Sequence, residues 1–150
     1  MIRRMEIQNE AEAAEVLRIQ IPSYQVEAEL IGFADLPPLK DTVASLQACG
    51  ETFYGYWVDG ELAGAISYKR EEDVLDIHRM IVHPAHFRKG IASQLVQYVL
   101  GQEQGLEKAI VATGAKNEPA KTLYLRHGFE VLQDQEVAPG VCITLFEKTV

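Results

Sequence analysis

Cysteine is scarce in this sequence: Cys49 and Cys142 are the only two in 150 residues. So few, so far apart, exclude a disulfide framework or a Cys-based zinc site as the organising device, and they suit a reduced, cytoplasmic setting. The four histidines (His78, His83, His86 and His127) form no repeat with acidic or Cys neighbours at ligand spacing, so no metal is expected. No apolar run approaches the ~18 residues of a membrane span, so no membrane partner is expected. The opening "MIRRMEIQNEAEAAEV" has no apolar core after its arginines and does not fit a signal peptide. Positive charge is also short: 14 Lys and Arg against 22 Asp and Glu leave a net charge of −8. Nucleic acid, which needs a basic face, is a poor partner for such a chain, whereas a cationic amine is compatible. The rest of the composition, 47% hydrophobic and 24% charged, is that of a soluble globular protein. Residues 1–150 read as one domain, large enough to bury a core.

"IRRMEIQ" is a strand candidate, and Asn9 caps a helix through "EAEAAEVLRIQI", whose Ala13, Val16, Leu17 and Ile21 fall at helical spacing. Pro22 and Ser23 separate it from a second helical piece, "YQVEAELIGF", which "DLPPL" ends. "KDTVASLQACG" reads as a short helix closed by Gly50. The period then changes. "TFYGYWV" and "LAGAISYK" are joined through "DG", a strong hairpin signal, and "REED" turns the chain into a third strand, "VLDIHRMIV". An amphipathic helix follows, with Ile91, Ala92, Leu95, Val96, Val99 and Leu100 as its apolar face. After the buried strand "KAIVAT" comes the helix "NEPAKTLYLRHG", with Asn117 as cap and Gly128 past its end. "FEVLQDQEV" and "VCITLFEK" make a last hairpin. The strand "VLDIHRMIV", its helix and "KAIVAT" form a βαβ unit with a right-handed crossover. The expected fold class is therefore α/β (α+β mixed), with a mixed sheet and helices on both faces.

One local absence stands out. From Pro84 through Gly101 there is no carboxylate, although a helix starts there and its positive end favours Asp or Glu. Arg88 and Lys89 instead precede Gly90. First-turn N–H groups lack helical partners, Gly90 lets an oxyanion approach the backbone, and Ala92 keeps that approach open, so the layout is that of a phosphate cradle. The plainer reading makes Arg88 and Lys89 solvated loop residues and Gly90 a turn. No GK[ST] triplet or GxGxxG pattern is present.

Together, "HPAHFRKGIASQL" and the later "NEPAKTLYLRHGF" resemble the GCN5-related N-acetyltransferase (GNAT) superfamily. The family's turn reads [QR]-x-x-G-x-[GA], matched at Gly90, Ile91 and Ala92. Its later helix reads N-x-x-A-x-x-x-Y-x-x-x-G-F, matched at Asn117, Ala120, Tyr124, Gly128 and Phe129. The [QR] position is Phe87 here, with Arg88 one residue later. The resemblance implies a central mixed, mostly antiparallel sheet and transfer of an acetyl group from acetyl-CoA, as cosubstrate, to a primary amine of a small molecule or peptide. It implies that Met80, Ile81 and Val82 offer backbone groups to the pantetheine arm. Arg88, Lys89, Gly90, Ile91, Ala92 and Ser93 would hold the pyrophosphate, and Asn117 and Tyr124 would lie near the thioester.

An alkylamine titrates near about 10 and must lose a proton before it attacks. Asp76 and His78 are two apart and so share a face of their strand. The resemblance puts both at positions where family members carry basic catalysts, and either would serve; the alternative is a hydrogen-bonded pair at a sheet surface. Tyr124 would donate to the leaving sulfur, its alternative being a core aromatic. A backbone N–H near Val82 would stabilise the oxyanion. Tyr24, Phe33 and "DLPPL" fall where the family's acceptor site often lies. The rivals are a non-catalytic acyl-CoA-binding sensor or partner module and a nucleotide-binding protein with another phosphate loop. A homodimer is the default among soluble oligomers.

Overall fold

The computed structural model describes every residue from Met1 to Val150. Strand β1 (Ile2–Met5) leads to α1 (Glu10–Ile31) and, after a 3-10 turn over Pro37–Lys40, to α2 (Val43–Ala48). A meander follows: β2 (Thr52–Val58), β3 (Glu61–Glu71) and β4 (Val74–Val82). The rest is α3 (Ile91–Gln102), β5 (Lys108–Gly114), α4 (Glu118–Arg126), β6 (Glu130–Ala138) and β7 (Val141–Thr149). The "DG" turn forms as its sequence dictates, with Asp59 and Gly60 both at positive φ. All seven strands join one sheet in the order β1-β2-β3-β4-β5-β7-β6, in which β4 and β5 are the one parallel pair. No helix is long and apolar enough to cross a membrane.

Two apolar layers hold helices to the sheet. On one face Leu95, Val96 and Val99 of α3 and Tyr124 of α4 pack with Ile66, Leu75, Ile77 and Phe146. On the other, Ala13, Val16 and Ile19 of α1 and Leu46 of α2 pack with Phe53, Leu62 and Ile81. Each such fully buried aliphatic or aromatic side chain contributes about 1.5–3 kcal/mol.

The expected interruption of α1 does not occur: the helix runs from Glu10 to Ile31 with Pro22 inside it. Proline removes one helical hydrogen bond and costs about 3 kcal/mol in a helix interior. Buried Ala13, Val16, Ile19 and Gln20 lie on one side of Pro22 and buried Ile31 on the other, so tertiary packing holds both halves in line. The helix ends at Gly32, whose φ of 68° makes it a left-handed cap.

Two features of β4 shape the centre of the molecule. Its pairing with β5 stops after Ile77↔Val111, while β5 stays paired with β7 as far as Gly114, so β4 and β5 part. Just there, Ser67 pairs with Arg79 and Tyr68 with Ile77, which leaves His78 as the extra residue of a β-bulge. The bulge resets the alternation. Leu75, Ile77, Met80 and Val82 face the α3 layer, while Ile81 faces the α1 layer.

Candidate functional site

The gap between β4 and β5 exposes backbone. His83 N–H donates to Ala63 C=O at 2.9 Å, so alternation turns the backbone groups of Ile81 toward β3 and those of Met80 and Val82 toward the gap. Val82 N–H there donates to Ser23 Oγ, on α1, at 3.4 Å.

The turn into α3 lies at the end of β4. His83 accepts from Ala85 N–H at 3.0 Å and starts a 3-10 turn over Pro84–His86. Arg88 and Gly90 then take φ of 65° and 75°. Gly90 caps α3 without a side chain, and no acid occupies the first turn. The first backbone bond of α3 is Gln94 N–H to Gly90 C=O at 3.1 Å, so the amides of Ile91, Ala92 and Ser93 have no backbone partner. Lys89 Nζ lies 3.0 Å from His86 Nδ1. Ser93 Oγ lies 2.8 Å from Nε2 of His127, at the end of α4. Burial, with the nearby Lys148 cation, lowers the His127 pKa.

Asp76 and His78 meet beside the bulge, His78 Nε2 lying 3.3 Å from Asp76 Oδ2. The sequence did not identify the group on the other side of the ring: Glu51 Oε2 is 3.3 Å from His78 Nδ1. The Glu51 carboxylate is almost wholly buried; it also accepts from Ser67 Oγ at 2.6 Å and from Arg79. Arg79 reaches Asp41 at 3.0 Å, and Asp41 accepts further from Gln20 at 2.8 Å and Ser45 at 2.7 Å. Burial would raise the Asp41 pKa, but donors from Ser45, Gln20 and Arg79 outweigh it and hold the carboxyl below its ordinary value. Burial likewise opposes the charge of Arg79, yet Glu51 and Asp41 overcome it and raise its pKa. Pro37, Pro38, Asp41, Glu51, His78 and Arg79 line a cleft of about 170 Å³.

Tyr124 is buried against Phe129 and Phe146, with ring centroids 5.6 and 5.7 Å away. Burial, then the Glu27 carboxylate of α1, pushes its phenol pKa well up. Burial does the same to Tyr24, reinforced by Glu27 and Tyr124. Asn117 caps α4 by accepting from Ala120 N–H at 3.3 Å, and its amide donates to Glu27 at 3.1 Å. Glu27 also accepts from Thr113 Oγ1 at 3.1 Å. Glu27 thus joins α1 to the end of β5 and the start of α4.

The candidate residues therefore fall into three neighbouring groups: the gap-facing backbone of Met80 and Val82, the turn from Arg88 to Ser93, and the Asp76–His78 pair. Tyr124 and Asn117 come from α4. Glu51, Asp41, Arg79, Glu27 and His127 joined only in three dimensions. Arg79, inside an apolar strand, was the one visible signal, since a buried guanidinium needs carboxylate partners.

The model of the acetyltransferase (GNAT) family matches residues 13–129. The chain belongs to this family of acetyltransferases. It is 41% identical over 134 residues to the UPF0157 protein YqkA of Bacillus subtilis (strain 168), a match covering 89% of this chain and 39% of that protein. It is 36% identical over 85 residues to the uncharacterized N-acetyltransferase YsnE of the same organism, covering 53% of this chain and 56% of that one. The chain thus spans well under two thirds of either relative. Its fold is shared with the PaiA N-acetyltransferase of Thermoplasma acidophilum, solved in complex with coenzyme A: TM-score 0.82 at 16% identity, covering 100% of this chain and 98% of that one.

Proposed function

We propose that this chain moves an acetyl group from acetyl-CoA to a primary amine by direct attack in a ternary complex. The observation that carries the reading is the parting of β4 and β5 beyond Ile77 and Val111, beside the unpartnered amides of Ile91, Ala92 and Ser93. An extended pantetheine arm fits such a gap as an added strand, pairing with Met80 and Val82 on either side of Ile81. Arg88 to Ser93 then receive the pyrophosphate, where the helix dipole and the unpaired N–H groups favour an anion. Asn117 borders the thioester end and keeps the start of α4 in register through Glu27.

The amine arrives as an ammonium and gives its proton to the Asp76–His78 pair. Glu51 engages Nδ1 of His78, which leaves Nε2, beside Asp76, to accept. The amine nitrogen then attacks the thioester carbonyl, an N–H near Val82 supports the oxyanion, and as the C–S bond breaks the second proton of the nitrogen passes to the departing thiolate, leaving the neutral amide and the free thiol. Tyr124 remains protonated because burial raises its pKa, so it acts as a hydrogen-bond donor to the departing thiolate. A thiol titrates at about 8.5, so complete proton transfer from such a phenol would run uphill. Holding both substrates in one complex supplies much of the acceleration.

The test is a thiol-release assay with acetyl-CoA and a panel of primary amines. Turnover with at least one amine, lost in His78→Ala, supports the reading. Tight acetyl-CoA binding with no transfer to any amine would favour a sensor or partner module instead.

A further inference from the structure

The turn before α3 supplies amides and cations for an anion, but Ser93 adds a side chain whose other partner lies on a different helix. Ser93 is the third residue of α3, and side chains there lean back toward the helix start. Its Oγ lies 2.8 Å from Nε2 of His127, which caps the C-terminal end of α4. Two arrangements of that contact exist. If Nε2 is bare, the Ser93 hydroxyl spends its single proton on the ring and presents only lone pairs to an anion. If Nε2 carries the hydrogen, the ring donates to Oγ and the hydroxyl proton is free to point at the turn.

We infer that His127 is a positioning residue for the coenzyme's diphosphate: by donating Nε2–H to Ser93 Oγ, it turns the serine hydroxyl into a donor toward a phosphoryl oxygen. The inference rests on the proposed coenzyme site and adds a residue to it. The ring is half-buried, and Lys148 Nζ fixes its backbone by donating to the His127 carbonyl. The relay also ties the end of α4 to the start of α3, the two elements that flank the gap.

The test is a double-mutant cycle on the full chain, with calorimetric Kd values for coenzyme A and for pantetheine, which lacks the diphosphate. Ser93→Ala is expected to weaken coenzyme A by about tenfold, the scale of one hydrogen bond to a charged group, and His127→Ala by severalfold, because the hydroxyl keeps its proton but loses the ring that aims it. The double variant should be no weaker than Ser93→Ala alone, pantetheine should be unaffected, and His127→Gln, which retains an N–H donor, should recover part of the loss of His127→Ala. The His127 carbonyl contact is backbone and survives these changes, and thermal melts confirm folding. Undiminished coenzyme A affinity in His127→Ala, losses that multiply in the double variant, or equal weakening of pantetheine would overturn the relay. A parent protein that binds neither ligand would overturn the coenzyme site itself and the relay with it.

Discussion

Arg88 and Gly90, two residues apart, both hold positive φ, at 65° and 75°. A side chain in that region costs about 1–2 kcal/mol, which glycine escapes. A Cβ at Gly90 would meet only Gln94 Nε2, at 3.9 Å, so Gly90→Ala introduces strain and not a clash. Its expected cost in urea denaturation is about 1–2 kcal/mol. Arg88→Gly relieves strain but adds freedom to the unfolded chain, so its stability should stay within about 1 kcal/mol of the parent. On the proposed coenzyme site, coenzyme A affinity should still fall severalfold in Arg88→Gly, because a guanidinium is lost beside the diphosphate; unchanged affinity would remove Arg88 from that proposal.

The ion cluster around Arg79 makes a prediction about stability. Arg79→Met leaves Asp41 and Glu51 without their cation, and denaturant melts should show a loss of about 3–5 kcal/mol. Asp41 also gives the cluster a pH signature. Its folded pKa is depressed, so its contribution is full above the unfolded value of about 3.9 and is lost as pH falls through the lower folded value. Asp41→Asn should therefore be less stable than the parent at neutral pH, and the difference should shrink below about pH 4. A constant difference across that range would assign the effect to packing.

The Glu51–His78–Asp76 arrangement makes a kinetic prediction. His78→Ala should lower kcat/KM for the amine by about 10²–10⁴, the usual scale of general base catalysis, while leaving coenzyme A affinity intact. Asp76→Asn should lower it less if Nε2 of His78 takes the proton. The reverse ranking would make Asp76 the base and His78 its support.

Tyr124→Phe separates the phenol from the ring. Packing on Phe129 and Phe146 is retained, so the melting temperature should hardly move. The loss should appear in kcat, by about tenfold for a hydrogen bond to a developing thiolate, with little change in KM for acetyl-CoA. Full activity in this variant would leave Tyr124 as a core aromatic.

Much of the fold could be read locally. The "DG" turn, the change of period after Gly50 and the caps at Asn9 and Asn117 all formed where their chemistry demands. Pro22 misled because its cost is local, while the contacts that outweigh it lie across the sheet. The same division holds at the site. Gly90 and Tyr124 belong to short motifs with fixed spacing. Glu51 meets Arg79 across 28 positions and Asp41 meets it across 38, so no window of sequence reveals either pairing. Glu27 is farther still, 86 positions from Thr113 and 90 from Asn117.

The unpaired residue at His78 is one that the ladder between β3 and β4 could do without. Removing that one position would make Ile77 and Arg79 direct neighbours opposite Tyr68 and Ser67, with Arg79 and Ile81 still on the α1 side and Met80 and Val82 still on the α3 side. Both hydrophobic layers would therefore survive a single codon deletion. The extra position serves the imidazole beside Glu51 and Asp76 and not the core, so a descendant with no use for that ring could shed the residue and keep the sheet.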